Sequence, residues 1–255
     1  ADKKFSSDIK MSGVNSINWA RIIAQSVYYF YSYLSVEDAS EPTNFSVPTG
    51  NFGDVYAGYL AKKMGLPIDK LIVATNQNDI LHRAISKGSY EAEKVSETIS
   101  PSMDIQIASN FERLIFDLNN GDDQQTSLDM KNIKEKGQYL INDDKLNKIS
   151  ENFLSARMSE DETLEVIKNV YEKFAVVLDP HTAIGYGAFD KHNLKGNNIV
   201  LATAHPCKFP GAIQSAINVK AELPNELTFV LDQKENYDIV ENDIEKVKQH
   251  IKDRT

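Results

Sequence analysis

The chain has 255 residues, of which 41% are hydrophobic and 25% charged, the mix of a globular protein with a sizeable core. With 28 Lys+Arg against 37 Asp+Glu the formal net charge is −9, so the chain gains nothing from counterion release and nucleic acid is excluded as a partner. The single cysteine, Cys207, excludes an internal disulfide and a thiolate zinc cluster; no apolar run approaches the roughly 20 residues that span a bilayer, and the start of the chain lacks a signal-peptide layout. The expectation is a soluble cytoplasmic protein with no membrane contact.

The first predicted element is a long helix from Ser16 to Ser35, capped by Asn15 or Ser16 and dense in Ile, Tyr and Phe. Its apolar residues fall all round, which predicts a mostly buried helix. Asn18, Arg21 and Gln25 follow i, i+3, i+7 spacing and share one face of it. Arg21 stands among Trp19, Ile22, Ile23 and Tyr28, where a guanidinium needs a partner. That partner is either a bidentate anion, phosphate or carboxylate, or an Asp or Glu of this chain.

Four short aliphatic runs then each lead through a small polar loop into a helical pattern. Phe45-Ser46-Val47 precedes the loop Pro48 to Asp54 and a helix from Val55 to Met64, with Gly65 as the C′ glycine and Pro67 beyond it. Leu71 to Ala74 leads through Asn76–Asn78 to a short helix ending near Gly88. Gly121 to Glu172 is rich in Lys, Glu and Asp and reads as a helical insertion without strands, the solvated face of the molecule being its simplest explanation. Ala175 to Leu178 leads through Asp179-Pro180-His181-Thr182 into a helix, and Ile199 to Ala202 leads through Thr203-Ala204-His205-Pro206 into another. Runs that are apolar on both faces and alternate with helices predict an α/β fold, a parallel sheet with helical cover. The expected divisions are 1–36 as a long leading helix, 37–120 and 173–225 as the α/β domain, 121–172 as the insertion and 226–255 as a strand/helix tail.

The loop Thr49-Gly50-Asn51-Phe52-Gly53-Asp54 carries the clearest chemical signal. Two glycines bracketing two residues let the backbone adopt positive φ and approach a ligand closely. The loop delivers its amides to the positive end of the following helix, a place for an anion. It is neither GxGxxG nor a P-loop with its lysine, so dinucleotides and nucleoside triphosphates fit poorly. A tight βα turn with no ligand is the alternative. The Asp54 carboxylate is expected to point away from any anion and to cap the helix.

Six stretches together resemble the threonine synthases shared by fungi and many bacteria. They are Val14-Asn15-Ser16-Ile17-Asn18-Trp19-Ala20-Arg21, Pro48 to Asp54, Ala74-Thr75-Asn76-Gln77-Asn78-Asp79-Ile80, Ser100-Pro101-Ser102-Met103-Asp104-Ile105, Ser109-Asn110-Phe111-Glu112-Arg113 and Thr203-Ala204-His205-Pro206-Cys207-Lys208-Phe209. The resemblance implies the three-layer pyridoxal-phosphate fold type II and conversion of O-phosphohomoserine and water to threonine and phosphate. It implies that Gly50, Asn51, Phe52, Gly53 and Asp54 hold the cofactor phosphate and that Thr203 meets the pyridine nitrogen. It gives Ser16, Asn18 and Arg21 to the substrate phosphate. The family's Schiff-base lysine lies in a Phe-Lys-Asp segment upstream, and no such segment occurs here. Lys62, Lys63 and Lys208 occupy no matching position. The expectation is therefore a carboxy-terminal part with no catalytic lysine of its own, inactive alone and partnered by the amino-terminal part of the same enzyme. The rivals are a catalytically silent phosphate- or pyridoxal-phosphate-binding relative and another lyase of the same fold type. His181 and His205, each beside a proline in a strand-end loop, read as loop-shaping residues.

Overall fold

The computed structural model describes residues 2–13 and 15–255. In chain order its elements are α1 (Lys3–Asp8), α2 (Trp19–Leu34), β1 (Thr43–Pro48), α3 (Gly53–Lys63), β2 (Ile68–Thr75), α4 (Ile80–Lys87), β3 (Ser89–Glu91) and α5 (Phe111–Leu118). They continue with α6 (Asp123–Lys136), β4 (Gln138–Leu140), α7 (Asp143–Asn152), β5 (Phe153–Arg157), α8 (Glu160–Phe174), α9 (Pro180–Asp190), β6 (Asn197–Val200), α10 (Pro210–Ile217) and α11 (Ile244–Lys252). Two compact units result, one formed by the described residues up to Asn15 with 223–255, the other by Ser16–Glu222.

The larger unit is built on a sheet of order β5-β2-β1-β6, parallel at every pairing. Val47 lies opposite Val73, Ser46 opposite Val200 and Ala74 opposite Ala156. Every residue of β1 is buried, the polar Thr43, Asn44 and Ser46 included, as a central parallel strand covered on both faces requires. Tyr29, Phe45, Phe52, Phe111 and Phe153 are the largest fully buried side chains. A two-stranded antiparallel ribbon of β3 and β4 sits apart from this sheet.

Two sequence expectations are corrected. Ala175 to Leu178 is not a strand: Ala175 closes α8 with a left-handed φ of 56°, and Val176 is exposed. The fourth strand is instead β5, from the segment expected to hold none; β4 comes from it too. Phe153-Leu154-Ser155-Ala156-Arg157 forms the sheet's edge, and an edge strand needs apolar residues only where it meets the core, here Phe153 and Ala156.

The second correction concerns α2. Its cap is Asn18, whose side chain accepts the Ala20 amide, and only Ile22, Ser26 and Tyr29 are buried. These fall on one stripe, packed against α3. Gly58 makes that approach possible, since a Cβ there would lie 2.4 Å from the Tyr29 ring. The rest of the helix leaves Tyr31 74% and Leu34 78% exposed. All-round apolarity therefore does not mean burial within this chain.

In the smaller unit Lys248 of α11 pairs with Asp2 at 2.9 Å, and the ring of Phe5 lies beneath the ammonium groups of Lys248 and Lys252. These are surface contacts of modest worth.

Candidate functional site

β1 and β6 are parallel neighbours, so the loops that follow them emerge at the same carboxyl edge of the sheet, where ligands of α/β proteins gather. Between them lies a cavity of about 220 Å³. Its walls bring together Ser16, Arg21, all of Gly50 to Asp54, and Thr203. Asn18 does not line it; its carbonyl side-chain oxygen is engaged 2.9 Å from the Ala20 amide. Gln25, Ser102, His181, Lys208 and Phe209 line the cavity as well, without having been assigned to a site from sequence. Gln25 was legible through its spacing from Arg21, and Lys208 through the motif that contains Thr203.

The glycine loop works differently from its expectation. Neither Gly50 nor Gly53 has positive φ; the left-handed residue is Phe52, at φ 64°. An aromatic residue is held there because its ring is wholly buried, edge-on to Phe111 at 5.2 Å and tilted on Phe153 at 5.8 Å. Phe52 thus presents backbone to the cavity and side chain to the core. The glycines serve close approach instead. A Cβ on Gly50 would meet the Ser102 carbonyl oxygen at 2.5 Å, and one on Gly53 would lie 3.2 Å from Asn110 Nδ2. No side chain caps α3, whose first turn faces the cavity.

Asp54 does not cap the helix either. The Tyr29 hydroxyl donates to its carbonyl oxygen at 2.8 Å and lies 3.2 Å from its Oδ1. Burial raises the Asp54 carboxyl to about 6, the Tyr29 hydrogen bond opposing the rise. The charge beside the cradle is therefore shed as the pH falls through about 6, above the range of an ordinary carboxyl. Arg21 and Lys208 are both exposed, which corrects the buried setting expected for Arg21: a guanidinium open to solvent needs no internal carboxylate.

Three devices hold these parts in place. Asn110 is fully buried and its Nδ2 donates to the carbonyls of Ser16 at 3.0 Å and Asn51 at 3.1 Å, joining the start of α2 to the glycine loop. Arg113 continues the latch, donating to Asn110 Oδ1 at 3.1 Å and to the Ile17 carbonyl at 2.9 Å while its guanidinium lies over the Trp19 ring. At the end of β2, Asn76 and Asn78 donate to Asp104 Oδ1 at 2.8 and 2.9 Å, and Thr98 donates to it at 2.7 Å, which folds residues 96–104 against the site. At the start of α9, Asp179 caps the helix and holds His181 Nδ1 at 3.1 Å.

The remaining candidates take bland roles. His205 Nδ1 accepts the Cys207 amide at 3.2 Å and shapes its turn. Lys62 donates to the Asp69 carbonyl and Lys63 pairs with Asp117, both at the surface. Among the described residues no three His, Cys, Asp or Glu side chains converge as metal ligands. No described helix is long and apolar enough to cross a membrane.

A helix-flanked parallel sheet with an uncapped helix start and a glycine loop at its carboxyl edge defines the class, an α/β protein of the pyridoxal-phosphate fold type II architecture. Comparison with known proteins supplies the family. Residues 182–251 match the model of the family described as "Threonine synthase, C-terminal". Threonine synthase of Pseudomonas aeruginosa is 42% identical over 98% of this chain and 54% of its own length. That of Saccharomyces cerevisiae is 43% identical over 99% of this chain and 55% of its own. The crystal structure of pyridoxal-phosphate-bound threonine synthase from Brucella melitensis matches with a TM-score of 0.95 and 44% identity, over 99% of this chain and 55% of that one. The chain belongs to the threonine synthase family, as its carboxy-terminal part. It spans about half the length of the relatives it matches.

Proposed function

We propose that this chain supplies the cofactor-phosphate and substrate-phosphate subsites of a threonine synthase acting on O-phosphohomoserine and water. The observation that carries the reading is the uncapped start of α3, its glycine loop opening onto the cavity that Thr203 and Arg21 share. Such a helix start fits the phosphate of pyridoxal phosphate; the packing of Gly50 on the Ser102 carbonyl leaves room for nothing bulkier than hydrogen there, and Gly53 lies close against the Asn110 side chain. When bound, the cofactor supplies the electron sink that makes bond cleavage at the substrate amino acid possible.

The chain's own residues do the rest. Amides of Gly50 to Asp54 hold the cofactor phosphate. The Thr203 hydroxyl meets the pyridine nitrogen without adding charge. Arg21 binds the substrate phosphate with a fork of donors and stabilises it as negative charge grows on departure. Ser16 and Asn18 set the α2 end of that subsite, Ser16 lining the cavity and Asn18 fixing the helix start. The lysine that carries the cofactor belongs to the amino-terminal part of the enzyme, and that part covers the outer face of α2, where Val27, Tyr28, Tyr31 and Leu34 form an exposed apolar strip.

These 255 residues alone should form no threonine from O-phosphohomoserine, and addition of the amino-terminal part should restore turnover. In the restored enzyme Arg21→Ala should weaken substrate binding more than cofactor binding. Borohydride reduction with pyridoxal phosphate, followed by peptide mapping, should label no single lysine of this segment. One stoichiometrically labelled lysine, with threonine formed by this segment alone, would overturn the reading.

A further inference from the structure

Beside the glycine loop lies a buried histidine that the proposed reaction does not use. His181 is the second residue of α9 and 3% exposed. Its Nδ1 lies 3.1 Å from Asp179 Oδ1, its ring packs on Phe209 with centroids 4.8 Å apart, and its Nε2 accepts the Ser102 amide at 3.3 Å. A backbone N–H can only donate, so Nε2 is the bare nitrogen and the ring proton sits on Nδ1, facing Asp179. Asp179 is committed to that role: it also accepts the His181 and Thr182 amides and the Thr182 hydroxyl. Burial pushes its carboxyl up, but these hydrogen bonds outweigh burial and hold it below its ordinary value, as an acceptor.

Ser102 connects this dyad to the cradle. It is the middle residue of the tight turn Pro101–Met103, and its carbonyl oxygen is the atom against which Gly50 packs. Its amide goes to His181 and its carbonyl floors the glycine loop. We infer that His181 is a positioning residue: through Ser102 it sets the floor on which Gly50 rests, and so the aim of the loop amides at a bound phosphate. The turn's other side is tied independently, by Asp104 to Asn76 and Thr98. What His181 contributes is therefore the orientation of the Ser102 peptide, beyond the existence of the turn. This inference rests on the reading that Gly50 to Asp54 binds the cofactor phosphate.

Two substitutions separate this role from helix capping. His181→Asn keeps a donor near Nδ1 for Asp179 but is too short to reach Ser102. His181→Gln places an amide oxygen near the position of Nε2. The cofactor-free intact protein and both variants are titrated with pyridoxal phosphate and with inorganic phosphate, and exchange of the Ser102 amide is followed by NMR. In His181→Asn, Ser102 should lose protection and both ligands should bind about tenfold more weakly. In His181→Gln, protection and affinity should return together. Faster Ser102 exchange with unchanged affinities would sink the inference, as would a folded His181→Gln that rescues neither. Should His181→Asn not fold, His181→Gln against Ser102→Pro, which removes the donor instead, tests the same link; unchanged ligand affinity in Ser102→Pro would overturn it. Failure of the underlying reading is recognisable separately, because Gly50→Ala, which sets a methyl group against the Ser102 carbonyl, would then leave the affinity for both ligands unchanged in the protein with His181 intact.

Discussion

The glycine loop and the start of α2 face the same cavity but are made by opposite means. The loop offers backbone: Phe52 anchors it in the core, and Gly50 and Gly53 pack against Ser102 and Asn110. The start of α2 offers side chains: Arg21 is exposed, and the segment is tied down through its carbonyls at Ser16 and Ile17. A backbone cradle needs rigid packing behind it, because amides can be aimed only by fixing the chain. A guanidinium can find its anion by rotating, so its supporting helix may leave it in water. This suits the roles proposed for them, a retained cofactor phosphate at the loop and a substrate phosphate that arrives and departs at Arg21.

Mutations should separate the two. Phe52→Ala should have the largest effect, a loss of about 3–5 kcal/mol in denaturant unfolding, because it empties a space between Phe111 and Phe153. If Phe52→Ala unfolds with an unchanged midpoint, the cradle is not anchored in the core as described. Next comes Asn110→Ala, which breaks the link between the subsites. It removes the donor to the Ser16 carbonyl and the acceptor of Arg113 Nε, while the Asn110 backbone amide still serves the Asn51 carbonyl, and should cost about 2 kcal/mol, with binding of both phosphates weakened together. Loss at one subsite alone, read by separate titrations, would show the link to be idle.

Asp54 sharpens the comparison through pH. Its folded value, about 6, lies above the ordinary 3.8, so the folded state holds the proton more tightly. That contribution to stability is complete below about pH 4 and is lost as the pH climbs through about 6. Asp54→Asn should therefore raise stability by about 1–2 kcal/mol above that range and leave it unchanged below, as unfolding curves at both extremes would show. A pH-independent effect would contradict the buried setting of the carboxyl. Arg21→Ala should be the smallest in stability, within about 0.5 kcal/mol, since an exposed side chain supports no core. Its effect should appear in substrate affinity instead; a strongly destabilised Arg21→Ala would mean that the guanidinium holds the fold together.

Much of this was legible along the chain. β1, β2 and β6 follow from the short runs Phe45-Ser46-Val47, Leu71 to Ala74 and Ile199 to Ala202, and the Gly65 and Gly88 helix ends follow from glycine's freedom at φ 104° and 70°. β5 escaped notice because an edge strand carries a diluted pattern, and Ala175 to Leu178 misled because β-propensity is only a fit to a pleated surface, which no neighbouring strand here provides. The latch at Asn110 and Arg113 was visible as a motif without a role, since nothing local says that residue 110 will meet residues 16 and 51.

By itself the sequence determined the class of fold and the family, because these reside in local patterns: strand-loop-helix runs and six motifs in order. Tertiary structure alone decided that Phe52 bends where the glycines do not, that Asp54 turns to Tyr29, and that His181 reaches Ser102. Each of these is a contact between residues far apart in the chain, and its energy depends on burial and aim, which no local pattern encodes.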